Sequence, residues 1–252
     1  MGKRNLIILF LCSSFGIFGQ LNQTDAKGKK QGEWQKAYPN SKAIEYKGTF
    51  KDDKPIGTFY YFYVSTKTKA IIVHDEKTGR SSARMYHENG QLISQGIYIN
   101  QKKDSIWSNY GPSGRISFKE TYKNGILNGK KTIFYVPEAI EDKSQLVAVI
   151  ENYVDDVLHG DYFEYFDDGS VKCTGKYEKG KKIGKFTTNH ASGGKMMVEN
   201  YKYGTLHGWS YGFDESGKQL GKRYYKKGKE LTGKELDKWI KYCKEKNIDP
   251  NF

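Results

Sequence analysis

Short apolar runs and polar turns alternate along most of the chain, and the pattern recurs every 24 residues. Units begin at Gly32, Gly57, Ser81, Ser105, Gly129, Gly160, Gly184 and Gly208, and successive starts are separated by 25, 24, 24, 24, 31, 24 and 24 residues. The single long step coincides with an insertion between Tyr135 and Leu146. Self-similarity at a fixed period indicates a repeat architecture, so we predict eight copies of one structural unit.

Turn-forming residues divide each unit into two short strands. A glycine preceded by Asn, Ser or Asp stands nine residues after the start of five units, at Gly90, Gly114, Gly169, Gly193 and Gly217. A second set of turn glycines follows a recurring tyrosine and closes the unit, at Gly125, Gly180, Gly204 and Gly228. These residues tolerate the positive φ of tight hairpin turns. We therefore predict an all-β fold, an elongated antiparallel β-meander of about eight hairpins over residues 30–231.

Aromatic side chains recur at two positions of the unit. The third position carries Trp34, Phe59, Trp107, Tyr162 and Phe186, and the sixth carries Phe62, Tyr86, Tyr110, Phe134, Tyr165 and Phe213. An odd spacing in a regular strand places side chains on opposite faces. Either both faces of the sheet carry aromatic rings, or a β-bulge redirects one set. Cross-strand pairs at roughly 0.2–1 kcal/mol each would then replace a thick core, and we expect these rings to be structural.

The two ends of the chain depart from the repeat. The basic start, the apolar run from Leu6 to Phe18 and the small Gly19 are typical of a signal peptide, predicted over residues 1–19 and followed by a linker over residues 20–29. At the other end, Thr232 and Glu235 have the spacing of a capping box, and Leu236, Trp239 and Ile240 recur at helical spacing. We predict a capping helix over residues 232–247, which covers the last hairpin, and a tail over residues 248–252.

Composition and charge narrow the class further. Only 37% of the 252 residues are hydrophobic, mean hydropathy is -0.78, and 15% are aromatic, which fits neither collagen, coiled coil nor bulk disorder. The net charge of +13 indicates attraction to anionic surfaces. Lysines concentrate at or near the turns between repeats, and acidic residues at the hairpin tips. The lysines predicted to bind an anionic partner are Lys102, Lys103, Lys130, Lys131, Lys181, Lys182, Lys227 and Lys229.

Motifs for catalysis or cofactor binding are weak. His159 and His207 share a repeat position, but two intervening units would separate them by about 19 Å, too far to share one metal ion. Gly175 to Lys182 has the spacing of a phosphate-binding loop but ends in Lys where a hydroxyl is required. Two cysteines of the predicted mature chain, Cys173 and Cys243, have no paired spacing. We predict no enzyme activity, no metal or other cofactor and no nucleic-acid partner.

The unit resembles the MORN repeat, in the bacterial variant found in YwqK-like proteins. The similarity consists of Gly-x-aromatic-x-x-Tyr, a turn ending in Gly, and Gly-x-Tyr-x-x-Gly-Lys. The match is clearest from Leu158 to Gly169, and the resemblance covers about residues 30 to 231. It implies an elongated antiparallel sheet used for binding and scaffolding, and some YwqK-like proteins carry an antitoxin label.

These observations favour an exported, non-enzymatic repeat scaffold that binds a protein or an anionic surface. Its expected location is the periplasm, the outer-membrane surface or the extracellular medium, with no membrane span after cleavage. Two alternatives stay open. One is an antitoxin or immunity-type protein that masks an effector, and the other is a carbohydrate-binding or carbohydrate-active envelope protein that uses its aromatic rings.

Overall fold

The computed structural model describes residues 20–136 and 145–251 and contains one open antiparallel sheet of 20 strands. Strands pair with their neighbours in sequence, except that the eleventh strand pairs with both the twelfth and the thirteenth, and the sixteenth with both the seventeenth and the eighteenth. A single helix, α1 (Gly233–Glu245), follows the last strand in the described ranges. The strands are β1 (Gln23–Thr24), β2 (Lys30–Ala37), β3 (Ile44–Lys51), β4 (Lys54–Phe62), β5 (Thr68–His74), β6 (Arg80–Tyr86), β7 (Leu92–Ile99), β8 (Lys102–Tyr110), β9 (Ile116–Lys123), β10 (Ile126–Phe134), β11 (Val147–Val154), β12 (Val157–Leu158), β13 (Gly160–Tyr165), β14 (Val171–Glu178), β15 (Lys181–Asn189), β16 (Lys195–Lys202), β17 (Thr205–Leu206), β18 (Gly208–Phe213), β19 (Gln219–Lys226) and β20 (Lys229–Leu231).

The predicted meander is confirmed, and its two edges use different turns. Gly90, Gly114, Gly169, Gly193 and Gly217 all have positive φ, and they close the loops at the tip edge, the edge where the two strands of one unit meet. At the opposite, inter-repeat edge, most turns have two residues of positive φ, as at Asn124 and Gly125. Two residues of positive φ define the type I′ turn, whose twist matches that of the flanking strands.

The leading glycine of a unit lies in a β-bulge rather than in a turn. In the β14–β15 pair, Thr174 to Lys176 spans two residues while Thr187 to Ile183 spans four, so β15 carries two extra residues around Gly184. Gly184 has a φ of 66°. The same mismatch occurs beside Gly57, Ser105, Gly129, Gly160 and Gly208, which also have positive φ. Among the pairs that join one unit to the next, only β5–β6 has a continuous register at this position, with His74 opposite Ser81.

We therefore expect the stability of the protein to respond in opposite directions when each of the two serines that replace the leading glycine is substituted. Ser105 has a φ of 58°, whereas Ser81 lies in extended backbone. A left-handed conformation costs a residue with a Cβ about 1–2 kcal/mol, and glycine within a strand costs about 0.5–1 kcal/mol in entropy. We expect Ser105→Gly to raise the free energy of unfolding by about 0.5–1 kcal/mol, and Ser81→Gly to lower it. Urea denaturation of the two variants checks this, and equal responses would contradict the bulge assignment.

Three rings of the third position form the centre of the packing. Phe59, Trp107 and Phe186 are 1%, 0% and 3% exposed. Each ring lies on a glycine of the preceding strand, where an added Cβ would overlap it: Gly48 under Phe59, Gly96 under Trp107 and Gly175 under Phe186. These glycines are therefore required by close approach, because their own φ values are ordinary.

Both faces of the sheet carry aromatic rings. The face of Phe59, Trp107 and Phe186, which we call the ladder face, continues from Tyr162 to Tyr177, Phe186 and Tyr201 at centroid distances of 5.5, 5.6 and 5.3 Å. Sixth-position rings lie on the opposite face, where Tyr165 stacks on Phe163 and Phe213 stacks on Tyr211. Of the two alternatives posed by the odd spacing, the first is therefore confirmed, and bulges are present as well.

A second repeating contact links neighbouring units at the tip edge. In three units the tyrosine at the seventh position donates a hydrogen bond to the backbone carbonyl of the sixth residue of the next unit. Tyr38 reaches Phe62 at 2.6 Å, Tyr63 reaches Tyr86 at 2.7 Å, and Tyr135 reaches Tyr165 at 2.7 Å. In the seventh unit His190 Nε2 lies 2.9 Å from the Phe213 carbonyl. These bonds hold successive tips at a fixed distance.

The helix and the tail cover the end of the sheet. Trp239 of α1 contacts Tyr224, which is 1% exposed, and Cys243 is equally buried. In the tail, the side-chain oxygen of Asn251 accepts the Trp209 backbone N–H at 3.0 Å. The helix was predicted over residues 232–247 and is shorter at both ends. Thr232 is the N-cap, but its side chain makes no capping hydrogen bond, so the predicted capping box is wrong.

Some predictions fall on segments that cannot be compared with the structure. The predicted signal peptide, residues 1–19, lies outside the described residues, as does most of the insertion, residues 137–144. Within the ranges that are described, no helix is both long and apolar enough to span a membrane.

Candidate functional site

Five of the eight predicted binding lysines are exposed, and they lie at or close to the inter-repeat edge. Lys102, Lys181 and Lys229 begin strands directly after a turn, and Lys227 occupies a turn itself. Lys130 follows the bulge at Gly129. Lys229 is paired with Glu235 at 3.3 Å. The structure leaves Lys102, Lys130, Lys181 and Lys227 without an acidic partner within 4.0 Å among the residues it describes.

The other three lysines lie on the ladder face and belong to its packing. Lys103 Nζ lies 4.6 Å from the Trp107 ring and 4.8 Å from Tyr122, and Lys182 is placed in the same way between Phe186 and Tyr201. Such cation–π contacts contribute about 0.5–2 kcal/mol each. Lys131 is ion-paired with Glu120 at 3.3 Å, and both side chains are largely buried. These three lysines stabilise the array and are poorly placed to bind a partner.

Acidic turns interrupt the lysines along the inter-repeat edge. Asp52 and Asp53 form the turn after β3, and Asp155 and Asp156 form the turn after β11. The basic row is therefore continuous over only part of the edge. Its densest part is C-terminal, from the turn at Lys179 to the turn at Lys227.

A row of tyrosine–glutamate pairs occupies the middle of the ladder face. The Tyr122, Tyr153 and Tyr201 hydroxyls donate to Glu120, Glu151 and Glu199 at 2.9, 2.9 and 3.0 Å, and Tyr162 donates to Glu164 at 3.3 Å. Burial raises the pKa of Tyr122 and of Tyr153 to about 12, and the hydrogen bond to the adjacent carboxylate is the second cause of this shift. The same causes raise the pKa of Tyr162 and Tyr201. At neutral pH these phenols are hydrogen-bond donors that satisfy buried carboxylates.

One histidine–serine pair has the distance of a nucleophile and its base. His74 Nδ1 lies 2.8 Å from Ser81 Oγ in a cleft of about 500 Å³ that also contains Tyr98 and Gln101. His74 Nε2 has no hydrogen-bond partner among the described residues, and burial lowers the pKa of the ring. Activated serines require a third group that orients the base. The pair lacks that group in the described part of the chain, and we assign it no catalytic role.

The remaining candidates bring no metal-binding chemistry together. In the described ranges no three His, Cys, Asp or Glu side chains are close enough to share an ion. Cys173 and Cys243 are free thiols. His159 and His207 each occupy the break between a two-residue strand and the strand that follows, and their backbone N–H groups donate to Asn152 and Asn200 at 2.8 Å. At this repeat position the backbone N–H therefore donates a hydrogen bond to the backbone carbonyl of the preceding long strand.

Comparisons with known proteins give little further guidance. No family model matches this chain, and no curated protein matches it. One solved structure that aligns with 81% of the chain is the Photorhabdus luminescens Tc holotoxin pore, at 10% sequence identity and a TM-score of 0.21. The alignment spans 11% of that chain's length. A similarity at this level carries no inference about the function of the present protein.

Proposed function

We propose that this protein is an exported, non-enzymatic scaffold of MORN-like repeats that binds an anionic surface or an acidic protein partner through its inter-repeat edge. The observation that carries the proposal is the set of exposed lysines at several turns of this edge that have no acidic partner among the described residues, which include Lys102, Lys181 and Lys227. Each hairpin advances the sheet by about 10 Å, so the array presents these charges on a rigid support. Such a surface favours an extended anionic partner over a small one.

The packing of the ladder face supports this assignment, because its most buried rings and several of its carboxylates are already in contact with other side chains. Phe59, Trp107 and Phe186 are buried, so their faces are not available for stacking on a sugar ring. The glutamates of the face are already occupied by tyrosine hydroxyls or by lysines. A carbohydrate platform on this face would need side chains that the packing already uses. We therefore place partner binding at the edge.

Removing three edge lysines tests the proposal. We expect Lys102→Gln, Lys181→Gln and Lys227→Gln together to weaken binding to phosphatidylcholine vesicles that contain phosphatidylglycerol. Each lysine near an anionic surface contributes about 1 kcal/mol, so the expected loss is about 100-fold. Salt should weaken wild-type binding in the same assay because it screens exposed charges. Vesicle co-sedimentation over a range of salt concentrations measures both effects.

The matched control removes the same charge from the tip edge. Lys42, Lys67 and Lys218 are exposed residues of tip loops, and their replacement by Gln lowers the net charge by the same three units. We expect this triple variant to keep most of its binding. Equal losses in the two triple variants would show that net charge alone governs binding, and would contradict a role for the inter-repeat edge.

A further inference from the structure

The C-terminal end of the array contains a cleft that the repeat pattern alone does not create. Helix α1 and the tail lie beside the last two inter-repeat turns, and the space between them is about 840 Å³. The sheet and its turns contribute Lys202, Tyr203, His207, Lys226 and Lys227 to the lining of the cleft. The helix and the tail contribute Trp239, Tyr242 and Ile248. This volume is in the usual range for small-ligand sites.

The charge of the cleft is positive and uncompensated. Its lining includes three lysines and no carboxylate. Lys202, Lys226 and Lys227 have no acidic partner within 4.0 Å in the described chain, whereas the nearby Lys229 and Lys241 are paired with glutamates. Burial lowers the pKa of His207, and these three lysines lower it further. The imidazole is therefore neutral at physiological pH, and the cleft favours an anion.

The rest of the lining is aromatic and aliphatic. The Trp239 and Tyr242 rings are stacked at 5.5 Å with an interplanar angle of 22°. Lys226 Nζ lies 3.4 Å from the centroid of the Trp239 ring. Tyr242, which belongs to the helix, and Ile248, which follows it, are 46% and 38% exposed. A ligand that met only the lysines would leave this apolar surface in water.

Tyr203 gives an independent indication of a ligand site. It occupies the first position of a two-residue turn at a φ of 52°, and its side chain is 68% exposed. The equivalent position carries Asn124, Lys179 and Lys227 in other units. The turn type accounts for the positive φ, but a large aromatic residue is an unfavourable choice at this position. Packing does not explain an exposed ring in this conformation.

We infer that this cleft binds a small ligand in which an anionic group is attached to a flat apolar body. The anionic group would contact Lys202, Lys226 and Lys227, and the flat body would lie against Tyr203, Tyr242 and Ile248. The site lies where the helix meets the inter-repeat edge, and of the three lysines replaced in the edge variant it includes only Lys227. Phenyl phosphate, which combines both features at minimal size, is the probe we choose.

Calorimetric titration of the full chain tests the inference. We expect saturable binding of phenyl phosphate with one site per chain, at least tenfold weaker binding of both inorganic phosphate and phenol, and a loss of affinity with added salt. Lys202→Gln with Lys226→Gln, and separately Tyr242→Ala, should each weaken phenyl phosphate binding at least tenfold. Among the described residues the Tyr242 side chain makes no hydrogen bond to the sheet, so its removal spares the Trp239 contact with Tyr224.

Two lysines at equivalent repeat positions provide the control. Lys123 corresponds to Lys226 and Lys179 corresponds to Lys227, but neither lies near the helix. Lys123→Gln with Lys179→Gln should leave phenyl phosphate binding unchanged. No saturable binding, equal binding of inorganic phosphate or of phenol, or equal losses in the control pair would each overturn the inference. The vesicle assay on the edge variants is scored separately, so the two proposals fail independently.

Discussion

Replacing Trp107 with alanine is expected to lower the free energy of unfolding by about 3–5 kcal/mol, the usual cost of removing a large buried ring. Trp107 is fully buried, its Nε1 donates to the Ile97 carbonyl at 3.0 Å, and its ring contacts Tyr98 at 4.8 Å. Lys103 would also lose its cation–π partner. Urea denaturation followed by far-ultraviolet circular dichroism measures the change.

The neighbouring Ile106 offers a control in the same strand. It points to the other face and is 58% exposed, so Ile106→Ala should cost less than about 1 kcal/mol. Because repeat arrays are stabilised mainly by nearest-neighbour contacts, Trp107→Ala should also act locally. Hydrogen exchange should accelerate in β7 to β9 and change little in β14 to β19. A uniform change across the sheet, or a cost equal to that of Ile106→Ala, would contradict this account of the packing.

Gly96→Ala, which adds one carbon atom, is also expected to cause a large loss of stability. A Cβ on Gly96 would overlap the Trp107 ring, and φ at this residue is ordinary, so the cost comes from steric contact alone. Overpacking of this kind costs about 1–3 kcal/mol. Thermal and urea denaturation should both show the loss, with the native far-ultraviolet spectrum retained.

Gly221 is the matched control for Gly96. It lies in β19 at an ordinary φ, and no atom lies within 4 Å of an added Cβ. Gly221→Ala should leave stability unchanged or raise it by about 0.5 kcal/mol. A double-mutant cycle gives a stricter test, because Gly96→Ala should cost much less in a Trp107→Leu background. Full additivity in that cycle would show that the ring and the glycine do not interact.

The regular spacing of the sequence was sufficient to predict the sheet, because turns impose a local requirement on the residue type. Gly169 and Gly217 were placed correctly in tip loops for this reason. The bulge at Gly184 was not distinguished from a turn, since both conformations use positive φ. Its two extra residues become visible only in the pairing register. Gly96 and Gly175 stand at matching repeat positions, so the sequence also carries a signal for the close approach of the rings.

The candidate sites were harder to predict than the fold, because lysines that are close in sequence have side chains in different environments. Lys102 and Lys103 are adjacent, yet one is exposed at the edge and the other lies between two rings. Alternation along a strand explains the difference once the bulge is known. The C-terminal cleft depends on how α1 and the tail dock on the last hairpins. No periodic pattern carries that information, although the aromatic Tyr203 at a turn position was a usable signal.

The contrast between the two edges determines where the chain could accept foreign sequence. Two-residue turns restrict the length of most connections at the inter-repeat edge, whereas five-residue loops are common at the tips and one tip already accommodates a longer segment. Epitopes or fluorescent labels placed at tips such as that of Gly193 should therefore be tolerated. Introduced at successive tips, they would form a ruler along the particle at intervals of about 10 Å.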